Sequence, residues 1–286
     1  MAQLSASAQV SDAEMARFVE LIYKVTGIRI STQKKTLLSN RIRRRLRQTG
    51  IETFDAYYNK LKRLPPSDIE WDHFLEEVTT HETFLYRDQA QWDWFQREYL
   101  PGVMARERDR KGPKSLRIWS AACSTGDEAM TIACCVAATL APLADWKVQI
   151  VGTDIGIGAL EQAKQAIYNE RAMHLVPDVC KKRFFTKQPD GTSWQAGSAL
   201  TGMVTFRQHN LLDPLKEPPF DLVFVKNVLI YFDDASKRTV MGHIRRLIKP
   251  GGVLVAGAAE GVSDLVRDMK RLQPWLFQAP EGNGAR

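Results

Sequence analysis

Cysteine is scarce and badly placed for scaffolding. The 286-residue chain has Cys123, the adjacent pair Cys134 and Cys135, and Cys180, with no C-x-x-C. This spacing suits neither a disulfide framework nor a zinc site, so a reduced, cytosolic protein without a metal is expected. No run of about 18 apolar residues occurs, which excludes a spanning helix. The opening Met1-Ala-Gln-Leu-Ser has no basic stretch followed by an apolar run, so no secretory signal is expected. A G-x-G-x-x-G fingerprint is absent from the turn after the first α/β strand, where Gly126 is the single glycine. That disfavours a pyrophosphate ligand. Internal repeats and low-complexity tracts are also missing. At 44% apolar and 26% charged residues the composition is that of a globular protein of about two domains.

What is present in excess is positive charge, and it is local. Formal net charge is +7, yet Lys34, Lys35, Arg41, Arg43, Arg44, Arg45 and Arg47 lie between Gln33 and Ile51 without a single acid. Without these seven the rest of the chain balances, 33 against 33. A basic helix on a near-neutral protein reads as a docking surface for an acidic helical partner. No aromatic residue interleaves Arg41 to Arg47, so base stacking is not supported and nucleic acid is not the expected partner.

The first quarter reads as helices. Ser11 to Glu14 and Ser67 to Glu70 predict capping boxes. Met15, Phe18 and Ile22, then Leu38, Ile42 and Leu46, recur at helical spacing. A further helix with Trp92 and Phe95 is expected to stop at Pro101-Gly102, and residues 106–115 read as a crossing between domains. Strands then alternate with helices. Leu116 to Ser120, Val148 to Thr153, Met203 to Arg207, Phe220 to Val225 and Val253 to Gly257 predict a parallel sheet covered on both faces. One helix is expected to carry Leu160, Ala163 and Ile167. The polar segment 185–202 reads as a small antiparallel insertion, and residues 1–10 and 281–286 as tails. Cys123, Cys134, Cys135, Trp71, Trp92 and Trp94 read as packing residues.

The chemistry gathers at the carboxyl ends of the first two strands. The turn Ala121-Ala-Cys-Ser-Thr-Gly-Asp-Glu128 is small and acidic, and Asp154 ends the next strand where a carboxylate accepts from ribose hydroxyls. An adenosine-type ligand without phosphate fits, of which S-adenosylmethionine is one.

Six motifs, in order, sharpen this: Thr79-Thr-His-Glu-Thr-Phe-Leu-Tyr-Arg87-Asp88, Trp119-Ser-Ala-Ala-Cys-Ser-Thr-Gly-Asp-Glu128, Thr153-Asp154, Asn210-Leu-Leu-Asp213, Lys226-Asn-Val-Leu-Ile-Tyr-Phe-Asp233 and Leu247-Ile-Lys-Pro-Gly-Gly252. From about Ser11 to Ala279 the chain resembles the chemotaxis receptor glutamate methyltransferases, the CheR family. The resemblance implies an α/β fold: a Rossmann-like class I S-adenosylmethionine-dependent methyltransferase domain with a small antiparallel β insertion, preceded by an all-α N-terminal domain. Its implied divisions are a helical substrate-docking domain (1–87), a linker (88–115), the methyltransferase domain (116–280, insertion about 185–202) and a tail (281–286).

The resemblance also implies the site. His81, Thr83, Arg87, Glu128, Asp154, Asn210, Leu211, Lys226 and Asn227 correspond to contacts of S-adenosylmethionine or its product S-adenosylhomocysteine, with Asp154 the ribose acid and Asn210 and Leu211 near the adenine. Thr83 and Arg87 correspond to positions that reach the methionine end, Asn227 and Tyr231 to the motif beside the transferring methyl, and Arg87 and Tyr231 are the expected catalytic residues. Arg41, Arg43, Arg44, Arg45 and Arg47 correspond to the face that docks the cytoplasmic helices of a membrane chemoreceptor. A monomer recruited from the cytoplasm to receptor arrays, without membrane insertion, is expected. The chain departs from the family pattern at His81 (usually Asn), Ala129 (Pro), Gly156 (an acid) and Lys226 (Arg). It also lacks the Gly-x-Gly by which some relatives hold a receptor's C-terminal peptide in the insertion. The alternatives are a same-fold methyltransferase with another substrate and a signalling adaptor that binds cofactor or receptor without turnover.

Overall fold

A capping box opens the first helix in the computed structural model, which describes residues 10–109, 112 and 114–282. Residues 1–9 and 283–286 of the expected tails, and 110, 111 and 113 of the expected linker, lie outside the described residues. Ser11 Oγ accepts from Glu14 N at 3.2 Å while Glu14 Oε2 accepts from Ser11 N at 2.8 Å. Helix α1 (Asp12–Thr26) is followed by α2 (Lys35–Thr49), α3 (Phe54–Arg63) and α4 (Ile69–Val78). Their inward residues, among them Phe18, Ile22, Leu38, Ile42, Leu46, Tyr57 and Phe74, form one core. Each large side chain so buried contributes about 1.5–3 kcal/mol.

Two helix-end expectations need correction. The fourth helix is capped by Asp68, not Ser67: Asp68 Oδ1 accepts from Glu70 N at 2.9 Å, and Glu70 turns inward. Pro101-Gly102 does not stop the next helix. The chain runs from α5 (Gln89–Trp94) through a π turn (Phe95–Tyr99) into α6 (Leu100–Arg106), with Leu100 N donating to Phe95 O. The wider π turn takes up the register just before proline's missing N–H.

The second unit runs β1 (Lys114–Ala121), α7 (Asp127–Thr139), β2 (Trp146–Asp154), α8 (Ile157–Gln165), β3 (Ile167–Asn169), α9 (Glu170–Met173), α10 (Asp178–Phe184), β4 (Phe185–Lys187), β5 (Ser193–Ala196), α11 (Ser198–Thr201), β6 (Val204–Gln208), β7 (Phe220–Val225), α12 (Asp234–Arg246), β8 (Ile248–Ala256), β9 (Lys270–Gln273) and β10 (Leu276–Gln278). The main sheet has the order β6-β2-β1-β7-β8-β10-β9. Its first five strands are parallel, and a C-terminal antiparallel hairpin, β9–β10, extends it beyond the expected all-parallel sheet. Apolar side chains pack on both faces, Ile118 into one core and Trp119 into the other.

The insertion is larger than the polar segment suggests. Its sheet has the order β3-β5-β4, so Ile167, expected on the helix stripe, opens a strand and is 46% exposed.

Candidate active site

The strand order reverses at β1: β2 lies on one side and β7 on the other, which leaves a crevice beyond their carboxyl ends. The chain turns there through Ala122 (φ 61), Ser124 (φ 51) and Gly126 (φ 84) before α7 begins. Left-handed backbone at two non-glycine residues persists only when surroundings impose it. Here the anchors are Cys123 N donating to Thr153 O at 2.8 Å and Ser124 N donating to Asp154 Oδ2 at 2.8 Å. Gly126 is required twice over, since a Cβ there would also lie 2.8 Å from Ala163 Cβ.

Asp154 is buried, and its other oxygen accepts from Gly156 N at 2.9 Å. Each carboxylate oxygen thus spends one lone pair on the backbone and keeps capacity for a hydroxyl donor. Glu128, on the first turn of α7, accepts from Ser120 Oγ at 2.7 Å, and its second oxygen lies 3.6 Å from Lys226 Nζ. Burial pushes the Glu128 carboxyl up, and the Lys226 ammonium pulls it back. Asp127 belongs elsewhere: it is buried against the Thr125 hydroxyl, outside the residues that line this crevice.

The segment between the helical domain and α5 forms one wall. His81 packs against Gly156, where a Cβ would lie 2.6 Å from His81 Cε1 and 2.5 Å from Glu76 Oε2. Two departures from the family pattern are therefore one packing arrangement, because an acid at 156 and the imidazole at 81 would compete for the same space. The Thr79 hydroxyl donates to Leu75 O at 2.7 Å, so it accepts from His81 Nε2 at 2.7 Å. Two carboxylates flank the ring, Asp154 Oδ1 3.8 Å from Nδ1 and Glu76 Oε2 3.6 Å from Nε2.

Lys226 is 2% exposed along its side chain and makes a third departure intelligible. Its Nζ lies 3.1 Å from Asp88 Oδ2, 3.3 Å from Arg87 O and 4.8 Å from the centre of the Trp92 ring. A point charge with rotatable donors meets these scattered acceptors, a task that does not need a planar fork. Arg87 Nη1 donates to Glu82 O at 3.1 Å, and its guanidinium lies 5.8 Å from the Phe84 ring centre.

The helical domain roofs the crevice. Ile28 bridges to Phe232, and Arg29 N donates to Tyr231 O at 2.8 Å. The resulting cleft, about 1230 Å³ counting the space open to solvent, is lined by every expected cofactor and catalytic residue: His81, Thr83, Arg87, Glu128, Asp154, Asn210, Leu211, Lys226, Asn227 and Tyr231. Its carboxylates, small-residue turn and lack of a phosphate cradle fit S-adenosylmethionine. Asp154 would hold the ribose, Glu128 the cationic methionine end, and the sulfonium would supply an electrophilic methyl.

Two expected site residues have further ties. The Asn210 side chain is anchored, Nδ2 donating to Val25 O at 2.7 Å and Oδ1 accepting from Leu212 N at 3.1 Å, which leaves one N–H and one lone pair for a ligand. It ties the two domains together, while its backbone and Leu211 still line the cleft. Arg45 does not belong to the docking face. It is buried, pairs with Glu70 Oε2 at 2.8 Å, and shares that carboxylate with Tyr57 OH at 2.6 Å. Arg41 is half committed, donating to Val78 O at 2.6 Å and Thr80 Oγ1 at 3.1 Å. Arg44 is 55% exposed along its side chain and pairs with Glu77 at 2.7 Å, and Arg47 is exposed. Burial raises the Cys123 thiol well above its ordinary range, as suits a packing residue.

Glu260 is the residue of this region that no motif announced. It is 1% exposed, and its Oε1 accepts from Val228 N at 3.2 Å beneath the turn that carries Asn227 and Tyr231.

Residues 13–79 match the family described as CheR methyltransferase, all-alpha domain, and residues 81–275 match CheR methyltransferase, SAM binding domain. A chemotaxis protein methyltransferase of Escherichia coli (strain K12) is 34% identical over 274 residues, covering 93% of this chain and 90% of that protein. Chemotaxis protein methyltransferase 2 of Pseudomonas aeruginosa is 35% identical over 260 residues, covering 87% and 88%. The corresponding protein of Klebsiella aerogenes is 32% identical over 275 residues, covering 94% and 90%.

Proposed function

The chain belongs to the CheR methyltransferase family and is an S-adenosylmethionine-dependent methyltransferase of chemotaxis; from that premise we propose that its acceptor is a glutamate carboxylate on the cytoplasmic helices of a chemoreceptor, converted to the methyl ester. The observation that carries this reading is that Arg29 and Lys34 of the helical domain, and Arg87, line the same cleft as Glu128, Asp154 and Tyr231, so cations that suit a carboxylate acceptor share the cleft with the cofactor residues.

The acceptor needs no general base. A glutamate side chain with an ordinary pKa of about 4.3 is already ionised at neutral pH. The task left to the protein is alignment and exclusion of water, worth up to about 7–11 kcal/mol at the ideal limit. Arg87 orients the carboxylate or the methionine end, Tyr231 bounds the methyl channel, and Lys226 holds Glu128 and the Arg87 backbone in register. Residues 1–87 act as the docking domain and 116–280 as the catalytic one. The protein works as a monomer recruited from the cytoplasm, and among the described residues no helix is long and apolar enough to cross a membrane. Without Gly-x-Gly in the insertion, docking through the basic helix replaces tethering by a receptor tail.

Incubation with labelled S-adenosylmethionine and a receptor cytoplasmic fragment is expected to yield label released as methanol in mild alkali. Alkali-stable label would mean N-methylation, and no transfer would mean an adaptor. Reversing Arg44 and Arg47 to glutamate is expected to lower receptor methylation about tenfold at low salt, with a smaller loss at high salt. Affinity for S-adenosylhomocysteine should stay unchanged. Equal loss of both activities would assign these arginines to folding.

A further inference from the structure

The loops after β7 and β8 lie side by side because their strands pair, Val225 with Ala256. The first carries Asn227 and Tyr231 into the cleft, and the second carries Glu260 beneath it. Glu260 has no ion pair among the described residues. The Lys237 ammonium, the cation that reaches this loop, donates instead to the Glu260 backbone oxygen at 2.9 Å. What faces the carboxylate is backbone: Oε1 accepts from Val228 N at 3.2 Å, while Oε2 is buried without a hydrogen-bond partner. Burial pushes the carboxyl up, and the neighbouring amides of residues 227–230 draw it back. Gly257 leaves room for it, since a Cβ there would lie 2.9 Å from Glu260 Oε1.

We propose that Glu260 is a positioning residue for methyl transfer, its buried carboxylate holding the 227–230 turn through Val228 N and so fixing Asn227 and Tyr231 at the transferring methyl. Two costly features explain each other in this arrangement. Asn227 holds a left-handed φ of 57°, which persists only where the surroundings over-determine it. A carboxylate buried without a cation depends on whatever donors it finds, and here that donor is Val228 N. If the turn relaxed, the carboxylate would lose it. If the carboxylate were lost, Val228 N would lose its side-chain acceptor. The inference rests on the reading of Tyr231 as the wall of the methyl channel.

The test uses the full chain with a receptor fragment as acceptor. Glu260→Gln keeps the shape but removes the charge and turns one acceptor into a donor that opposes the amides. It is expected to lower kcat about tenfold, while KM for S-adenosylmethionine and the calorimetric affinity for S-adenosylhomocysteine stay within about twofold. Glu260→Asp, which keeps the charge but draws it back by one methylene, should fall between. Because Glu260 acts through the turn, adding Glu260→Gln to Tyr231→Phe should cost less than it does alone. Unchanged kcat, fully additive losses, or a kcat loss matched by losses in cofactor affinity and melting temperature would each overturn the proposal. If Tyr231→Phe turns over at the wild-type rate, the reading of Tyr231 and this inference fall together. If Tyr231→Phe is slow and the losses add, the inference alone falls.

Discussion

Replacing Arg45 with alanine is expected to destabilise the helical domain by about 3–5 kcal/mol, whereas Arg44→Ala should change stability by no more than about 1 kcal/mol. The two residues are neighbours on α2, and the difference is burial. Arg45 Nε and Nη2 reach Glu70 Oε1 and Oε2 at 3.2 and 2.8 Å, and Tyr57 OH donates to the same Oε1 at 2.6 Å. Burial, and then the Glu70 charge, push the Tyr57 phenol far up, so it remains a donor. Removing Arg45 leaves Glu70, itself 7% exposed, as a buried carboxylate with one phenol to satisfy it. The Arg44–Glu77 pair opens to water on the arginine side, 55% exposed against 19% for Glu77, and that water screens it and supplies other donors. Denaturant unfolding followed by helical signal measures both. The loss at Arg45 should hardly depend on salt, and Arg45→Met combined with Glu70→Leu and Tyr57→Phe should recover most of it, since an apolar trio leaves no buried polar group of this cluster unpaired. A loss below about 1 kcal/mol for Arg45→Ala would remove the buried pair from the domain's stability.

The sequence held the signal that separates these arginines. Leu38, Ile42, Arg45 and Leu46 stand at i, i+4, i+7 and i+8, which is the inward stripe of a helix. A base on that stripe needs a buried acid, and Glu70 sits on a facing helix. Counting bases hides this, because charge content does not say which side of the cylinder each charge is on. The cleft was easier to read, since strand ends, a small-residue turn and a terminal acid are local features. Asn210 was harder: its type fits a polar contact, but only the three-dimensional neighbourhood shows Val25 O at 2.7 Å claiming one amide N–H. Glu260 gave no local sign at all. Its importance comes from strand order, which sets β8 against β7. The C-terminal hairpin escaped for another reason: Lys270, Arg271, Leu272 and Gln273 are all exposed, so no inward-outward alternation marks the strand.

Asp154→Ala is expected to weaken S-adenosylhomocysteine binding at least about 100-fold, corresponding to about 2.7 kcal/mol or more. Two losses act together. The carboxylate now fixes Ser124 N at 2.8 Å and Gly156 N at 2.9 Å, so its removal orphans two amides and frees a turn held at left-handed φ. Leaving a buried donor unpaired costs about 1–3 kcal/mol, part of which relaxation of the turn recovers in the free protein at the expense of preorganisation. In the proposed site the ligand also loses a carboxylate acceptor for its ribose, and hydrogen bonds to charged groups are worth about 1.5–3 kcal/mol each. Asp154→Asn separates the two contributions. It keeps the shape but presents an amide NH₂ to either a backbone N–H or the ribose, and should lose less than the alanine variant. Calorimetry with S-adenosylhomocysteine and its 2′,3′-dideoxy analogue completes the argument. If Asp154 holds the diol, the analogue should bind wild type poorly and lose further affinity on substitution only to the extent that the turn has loosened. Wild-type and Asp154→Ala proteins that bind S-adenosylhomocysteine within threefold of each other would detach the ribose from this acid. An equal loss for both ligands would reduce Asp154 to a scaffold for the turn.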